Sequence, residues 1–189
     1  DCYALSRFGK EIDRPTIKEE LDMGKSFLKY LRSLFPDGMI YYKEGNHEER
    51  MRKYILANAP ELGKVPELSL EYLLGLEDLK IELVKRVILK AGKLNILHGH
   101  EIPGGIMAPV NPARGMFLKA KASTLHGHNH QRSTHRESTL DGTTIIVSST
   151  GCLCSLTPEY MPYAGLKWVH GAAIVEVHPE GKFNIENFE

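Results

Sequence analysis

Three stretches of the chain set metal-capable side chains beside a glycine at the end of an apolar run: Gly45-Asn46-His47-Glu48, His98-Gly99-His100, and His126-Gly127-His128-Asn129-His130. Imidazole nitrogens and an amide oxygen suit borderline transition ions such as manganese, zinc, iron or nickel, and histidine is the commonest ligand among them. A lone histidine after a strand is more often a satisfied polar group, and His98 alone reads that way. His126, His128 and His130 resist it, because three imidazoles at alternate positions repel one another once protonated and add little to packing. His135, His170 and His178 stand in polar or strand contexts and read as structural or exposed. Cys152 and Cys154 follow a β-rich run, where a pair of small buried residues is the ordinary reading. A structural metal held by these cysteines and nearby histidines is the minor alternative.

For the three stretches to meet, they must leave strand ends on one edge of an α/β sheet. The elements around them allow this. Thr16 and Glu19 form a capping-box pattern, and Ile17, Leu21, Leu28, Leu31 and Phe35 recur at helical spacing, so a helix is expected over 15–34. Pro36-Asp37-Gly38 ends it before a short strand over 39–42. Residues 49–58 read as a helix, 59–68 as a loop with two prolines, and 69–76 as a second helical piece, together resembling a helical insertion at about 51–80. Residues 83–89 and 94–97 read as strands around Ala91-Gly92-Lys93, in preference to a helix over 79–90. A loop over 101–112 leads to a helix over 113–121, and 123–125, 143–148, 172–177 and 183–185 are short or β-rich runs that read as strands. Nothing resembles a linker, so one α/β domain over 1–189 is expected.

With 189 residues and 42% apolar composition, the chain can bury a real core. Lys and Arg number 24 and Asp and Glu 24, so no global field points to nucleic acid, although a local groove could bind a phosphodiester. Three cysteines without a C-x-x-C pair argue against a disulfide framework and for a reducing, cytoplasmic setting. No apolar run approaches the length that crosses a bilayer, so no membrane partner is expected.

In order along the chain, Gly45-Asn46-His47-Glu48, His98 and Gly127-His128-Asn129-His130 resemble the third, fourth and fifth motifs of the calcineurin-like metallophosphoesterases, most closely the phage- or prophage-encoded type. The later β-runs suit the second sheet of that family. The resemblance implies a sandwich of two mixed β-sheets flanked by helices and a two-metal centre that hydrolyses a phosphomonoester or phosphodiester. It implies that Asn46, His98 and His128 hold one ion and that His130 belongs to the other. His47 would sit near the leaving group as a proton donor or phosphate contact. Arg50, with Arg52 and Lys53 behind it, is a candidate for the phosphate backbone of a nucleic acid, and a solvated helix face is the plain alternative. His100 and Glu101 either join the cleft or face water as a loop pair.

The family's opening Asp-x-His and Gly-Asp-x-x-Asp motifs are absent, since no aspartate here precedes histidine by two residues or follows glycine. The simplest account makes Asp1 the last aspartate of the second motif, orienting His47, with the rest of the pattern upstream. Asn46, His98, His128 and His130 are neutral ligands, so two dications would repel with no carboxylate between them. At most one weakly held ion and impaired turnover are therefore expected of this chain as given. The alternative is a binding or interaction protein that keeps the fold without a working centre. Expected partners are a phosphate ester, nucleic acid among them, and a second copy of the chain through exposed sheet edges. Cys2, where protein phosphatases usually carry arginine, weakens a phosphoserine or phosphothreonine assignment.

Overall fold

The computed structural model describes residues 2–6, 13–102, 110–158, 160–161 and 163–189. The chain is a mixed α/β protein of two compact units, Asp1–Lys85 and Arg86–Glu189.

In the first unit, helix α1 (Ile17–Leu34) begins at the expected reciprocal cap. The Thr16 hydroxyl accepts from the Glu19 amide at 3.3 Å, and the Glu19 carboxylate accepts from the Thr16 amide at 2.7 Å. Leu21 and Leu28 turn inward against Leu74, Leu76 and Ile81, which form the core of this unit. The apolar stripe stops short of Phe35, which is the C-cap and 55% exposed. Arg32 secures that end instead. Its Nε donates to the Leu79 carbonyl at 2.8 Å, Nη1 to Phe35 at 2.8 Å and Gly38 at 2.7 Å, and Nη2 to Lys80 at 2.8 Å. A planar fork of donors is suited to several carbonyls at once, and here it ties the turn after α1 to the start of strand β2 (Ile81–Val84). Strand β1 (Ile40–Lys43) pairs in parallel with β2, Ile40 opposite Ile81.

A parallel pair needs a crossover, and the helical stretch expected as an insertion is that crossover. It consists of α2 (Glu49–Asn58), two 3-10 turns (Pro60–Lys64 and Pro66–Leu68) and α3 (Leu70–Leu74), whose cap is Ser69. Each proline of the expected loop begins a 3-10 turn, where its missing N–H costs nothing.

The second unit is built on a five-stranded sheet ordered β3-β4-β5-β7-β6. The strands are β3 (Leu89–Ala91), β4 (Leu94–Leu97), β5 (Thr124–His126), β6 (Ser133–Ser138) and β7 (Thr144–Ser149). The run expected as one strand over 83–89 is thus divided between β2 and β3. Strand β6 was not expected: Ser-Thr-His-Arg-Glu-Ser has no apolar face, and it is held as an edge by pairing with β7. Helix α4 (Pro112–Ala120) covers the sheet, and Leu97, Ala113, Met116 and Val147 form the core between them. The antiparallel hairpin β8 (Ala172–Val177) and β9 (Phe183–Phe188) is tied to β7 by the Asn187 amide, which donates to the Ser148 hydroxyl at 2.7 Å.

Strands β4, β5 and β7 are mutually parallel neighbours, with Leu97 opposite His126 and His126 opposite Ser149. Their carboxyl ends therefore share one edge, from which residues 98–101, 127–130 and 150–154 emerge. Among the described residues, no helix is long and apolar enough to cross a membrane.

Candidate metal centre

In the first unit, Gly45-Asn46-His47-Glu48 is the turn between β1 and α2. Glu48 closes it: one carboxylate oxygen accepts from the Gly45 amide at 3.0 Å and the other from the Tyr42 hydroxyl at 3.0 Å. Burial, followed by the charge of Glu48, pushes the Tyr42 phenol up, so it keeps the proton it donates. Asn46 and His47 are half-buried. Burial, and after it the Arg50 guanidinium, holds His47 below the ordinary histidine range. That favours neutral imidazole, which can donate one hydrogen bond to a phosphate oxygen but is a weaker acid-catalyst form near neutrality. Arg50 is half-buried at the start of α2, Lys53 is paired with Glu49 at 2.6 Å, and Arg52 is exposed. Asp1, expected to orient His47, lies outside the described residues, as does part of the loop expected over 101–112.

In the second unit, His98 follows β4, and its Nδ1 lies 3.0 Å from that of His100. One of these nitrogens must carry the proton and the other the lone pair. The His128 ring comes from the neighbouring loop, with centroids 5.1 Å from His98 and 6.3 Å from His100. Gly99 permits this approach: it holds φ +120°, and a Cβ there would lie 3.0 Å from the Cβ of His128. Glu101 closes the turn as Glu48 closes the other one. Its carboxylate accepts from the His98 amide at 3.2 Å and the Gly99 amide at 2.7 Å. The side chains of His100 and Glu101 are only 9% and 8% exposed, so they do not form a loop pair facing water.

His98, His100 and Glu101 present ligand atoms that all lie within 4.8 Å of one another, a group that could hold a metal ion. One carboxylate oxygen of Glu101 bonds the His98 amide and the other the Gly99 amide, and the latter lies 3.6 Å from His100 Nδ1. The four ligands that the motif resemblance assigns are neutral, and the Glu101 carboxylate beside His98 is a negative charge that could offset a cation's.

His126, His128 and His130 do not act as one cluster. His126 ends β5 inside the core, 2% exposed, with Nδ1 3.0 Å from the Gly127 carbonyl and burial lowering its pKa. After it the chain turns through positive φ at His128 (67°) and His130 (59°), a region costly for residues other than glycine and often used where function demands it. The three rings therefore diverge. His128 joins His98 and His100, whereas His130 packs edge-on against Trp168 with centroids 4.3 Å apart and sets Nδ1 3.7 Å from Cys154 Sγ.

Cys152 and Cys154 are not the small buried pair the sequence favours: Cys152 is half-buried and Cys154 exposed. Their ligand atoms and that of His130 lie within 4.8 Å of one another. Burial, and then a hydrogen bond with the Cys152 thiol, push the Cys154 thiol up to about 11. The Cys-x-Cys signal was visible in sequence, but its nearness to His130 arises from the pairing of β7 beside β5. The His135 ring is tilted against Phe117 with centroids 4.8 Å apart, His170 contacts the Cys154 carbonyl at 2.9 Å, and His178 contacts Asn184 at 2.9 Å. Comparison with family models and with curated proteins finds no match for this chain in either.

Proposed function

We propose that this chain is a metal-dependent phosphoesterase of the calcineurin-like kind, hydrolysing a phosphomonoester or phosphodiester. The observation that carries this reading is the convergence of His98, His100 and His128 from two neighbouring parallel strands, with Glu101 beside them. Under it, the fold is the two-sheet sandwich flanked by helices, and the complete centre holds two divalent ions drawn from manganese, zinc, iron or nickel. The imidazoles of His98 and His128, with the Glu101 carboxylate beside His98, are a suitable donor set for such ions. Once bound, they would supply Lewis acidity for phosphate-ester hydrolysis.

The chain's own residues have separable tasks. His98 and His128 offer lone pairs. His100, through its Nδ1 contact, sets the orientation of the His98 ring, and contact with substrate is the further part this reading gives it. Glu101 holds the His98-Gly99 backbone and contributes negative charge. Asn46 and His47 belong to the first unit, and their parts, ligand and leaving-group contact, are those that the motif resemblance assigns. Arg50, which follows them at the start of α2, is a cation suited to a phosphate, with nucleic acid one form of substrate.

The test is hydrolysis of an aryl phosphomonoester and an aryl phosphodiester with added manganese. Turnover should depend on metal, stop with a chelator and be lost in His98→Ala and His128→Ala variants that keep a native circular dichroism spectrum. Manganese binding without turnover of either ester would favour the non-catalytic binding protein, and absence of binding would remove the reading altogether.

A further inference from the structure

We propose that His130, Cys152 and Cys154 form a separate cation site for a thiophilic ion of the zinc class. This does not rest on the phosphoesterase reading. It also departs from it, because His130 is then committed to a sulfur-rich site and not to the second ion of the family pattern.

Three observations show that the site is built. The ligand atoms of all three residues lie within 4.8 Å of one another, and His130 Nδ1 is 3.7 Å from Cys154 Sγ. The backbones that carry them are joined through one segment: the Val169 amide donates to the His130 carbonyl at 3.0 Å, the Cys152 amide to Val169 at 2.9 Å, and the Gly171 amide to Cys152 at 3.1 Å. This junction leaves no room for side chains, since a Cβ on Gly151 would lie 2.4 Å from the Val169 oxygen and one on Gly171 would lie 2.7 Å from the Phe188 oxygen. The His130 ring and the Cys154 backbone are steadied as well. Trp168 stands edge-on to the His130 ring at 4.3 Å, and the His170 ring meets the Cys154 carbonyl at 2.9 Å.

The donor chemistry selects the ion. Two thiolates neutralise a dication, and with one imidazole they make the sulfur-and-nitrogen set that zinc takes in tetrahedral geometry. On binding, each thiol gives its proton to solvent. Hard ions such as magnesium and manganese prefer the oxygen-bearing set at Glu101. Three protein ligands leave a fourth position, and the exposure of Cys154 makes it reachable from solvent.

Cobalt(II) reports such a site directly. The full chain, reduced and stripped of metal, is titrated with cobalt under anaerobic conditions. A sulfur-to-cobalt charge-transfer band should appear, be displaced by zinc, vanish in Cys152→Ser and in Cys154→Ser, and persist in His98→Ala. If the serine variants do not fold, alkylation of the unaltered chain decides: zinc should protect Cys152 and Cys154 from iodoacetamide in a peptide map. The proposal is overturned by a folded chain that shows no thiolate band at saturating cobalt, by a band that survives in the double serine variant, or by alkylation that zinc does not slow. Phosphate-ester turnover is a separate readout, so either reading can fail without the other.

Discussion

Replacing Gly151 by alanine tests the joint that brings Cys152 to His130. The added Cβ would lie 2.4 Å from the Val169 carbonyl oxygen and 2.7 Å from both the Gly171 nitrogen and the His170 carbonyl carbon. All three are backbone atoms, so no rotamer change relieves the contact and residues 169–171 must draw away. Two hydrogen bonds go with them, Cys152 to Val169 at 2.9 Å and Gly171 to Cys152 at 3.1 Å. These contribute about 2 kcal/mol together, and the strain of overpacking adds about 1–3 kcal/mol, giving an expected loss of ~3–5 kcal/mol. Gly142 is the control, because it has φ +81° but nothing within 4 Å of a Cβ. Its alanine variant should lose only the backbone cost, about 1–2 kcal/mol. Urea unfolding followed by Trp168 fluorescence measures both, and Trp168 is the one tryptophan of the sequence. A Gly151→Ala protein no less stable than Gly142→Ala, with native Trp168 emission, would refute the close approach and with it the placement of Cys152.

Glu101→Ala leaves the His98 and Gly99 amides without the carboxylate that caps them, so manganese affinity by titration calorimetry should fall more than in Glu101→Gln, which keeps an acceptor. Arg32→Lys replaces a fork bonded to the carbonyls of Leu79, Phe35, Gly38 and Lys80 by a single ammonium, and the urea midpoint should drop by the equivalent of about 2–3 kcal/mol. Leu94 is 0% exposed, and Leu94→Ala should cost about 2–5 kcal/mol by the same assay. Burial, and after it the Glu49 carboxylate, raises the Glu44 pKa. The folded chain thus holds this proton more tightly than the unfolded chain, so the group's stabilisation is present below the unfolded value and is lost as pH rises through the folded one. Glu44→Gln should therefore raise the midpoint at about pH 7 and give no gain below the ordinary carboxylate range; a gain that is equal at both would contradict the assignment.

Short-range chemistry was legible in the residues. The Thr16–Glu19 cap, the helical spacing of Leu21 and Leu28 in α1 and the glycine of the turn at Gly99 are set by residues a few positions apart. The α/β class followed too, as did strand β8 with its observed bounds. What sequence spacing could not resolve depends on partners remote along the chain. Strand β6 has no apolar face of its own and exists because β7 completes its hydrogen bonds. Glu48 and Glu101 stood in the quoted stretches, but their closing of the turns at Gly45 and Gly99 is a bond to backbone amides, which any sequence supplies at every position but proline, so residue types alone did not assign it. Alternation made His126, His128 and His130 one cluster on paper, but positive φ at the last two sends their rings to different neighbours. Cys154 meets His130 across 24 residues because β7 lies beside β5 and the register of that pair puts both loops on one edge. Residue types thus set which chemistry is available, and strand order sets which side chains stand together to perform it, because pairing between strands joins positions whose separation along the chain carries no information about their distance in space.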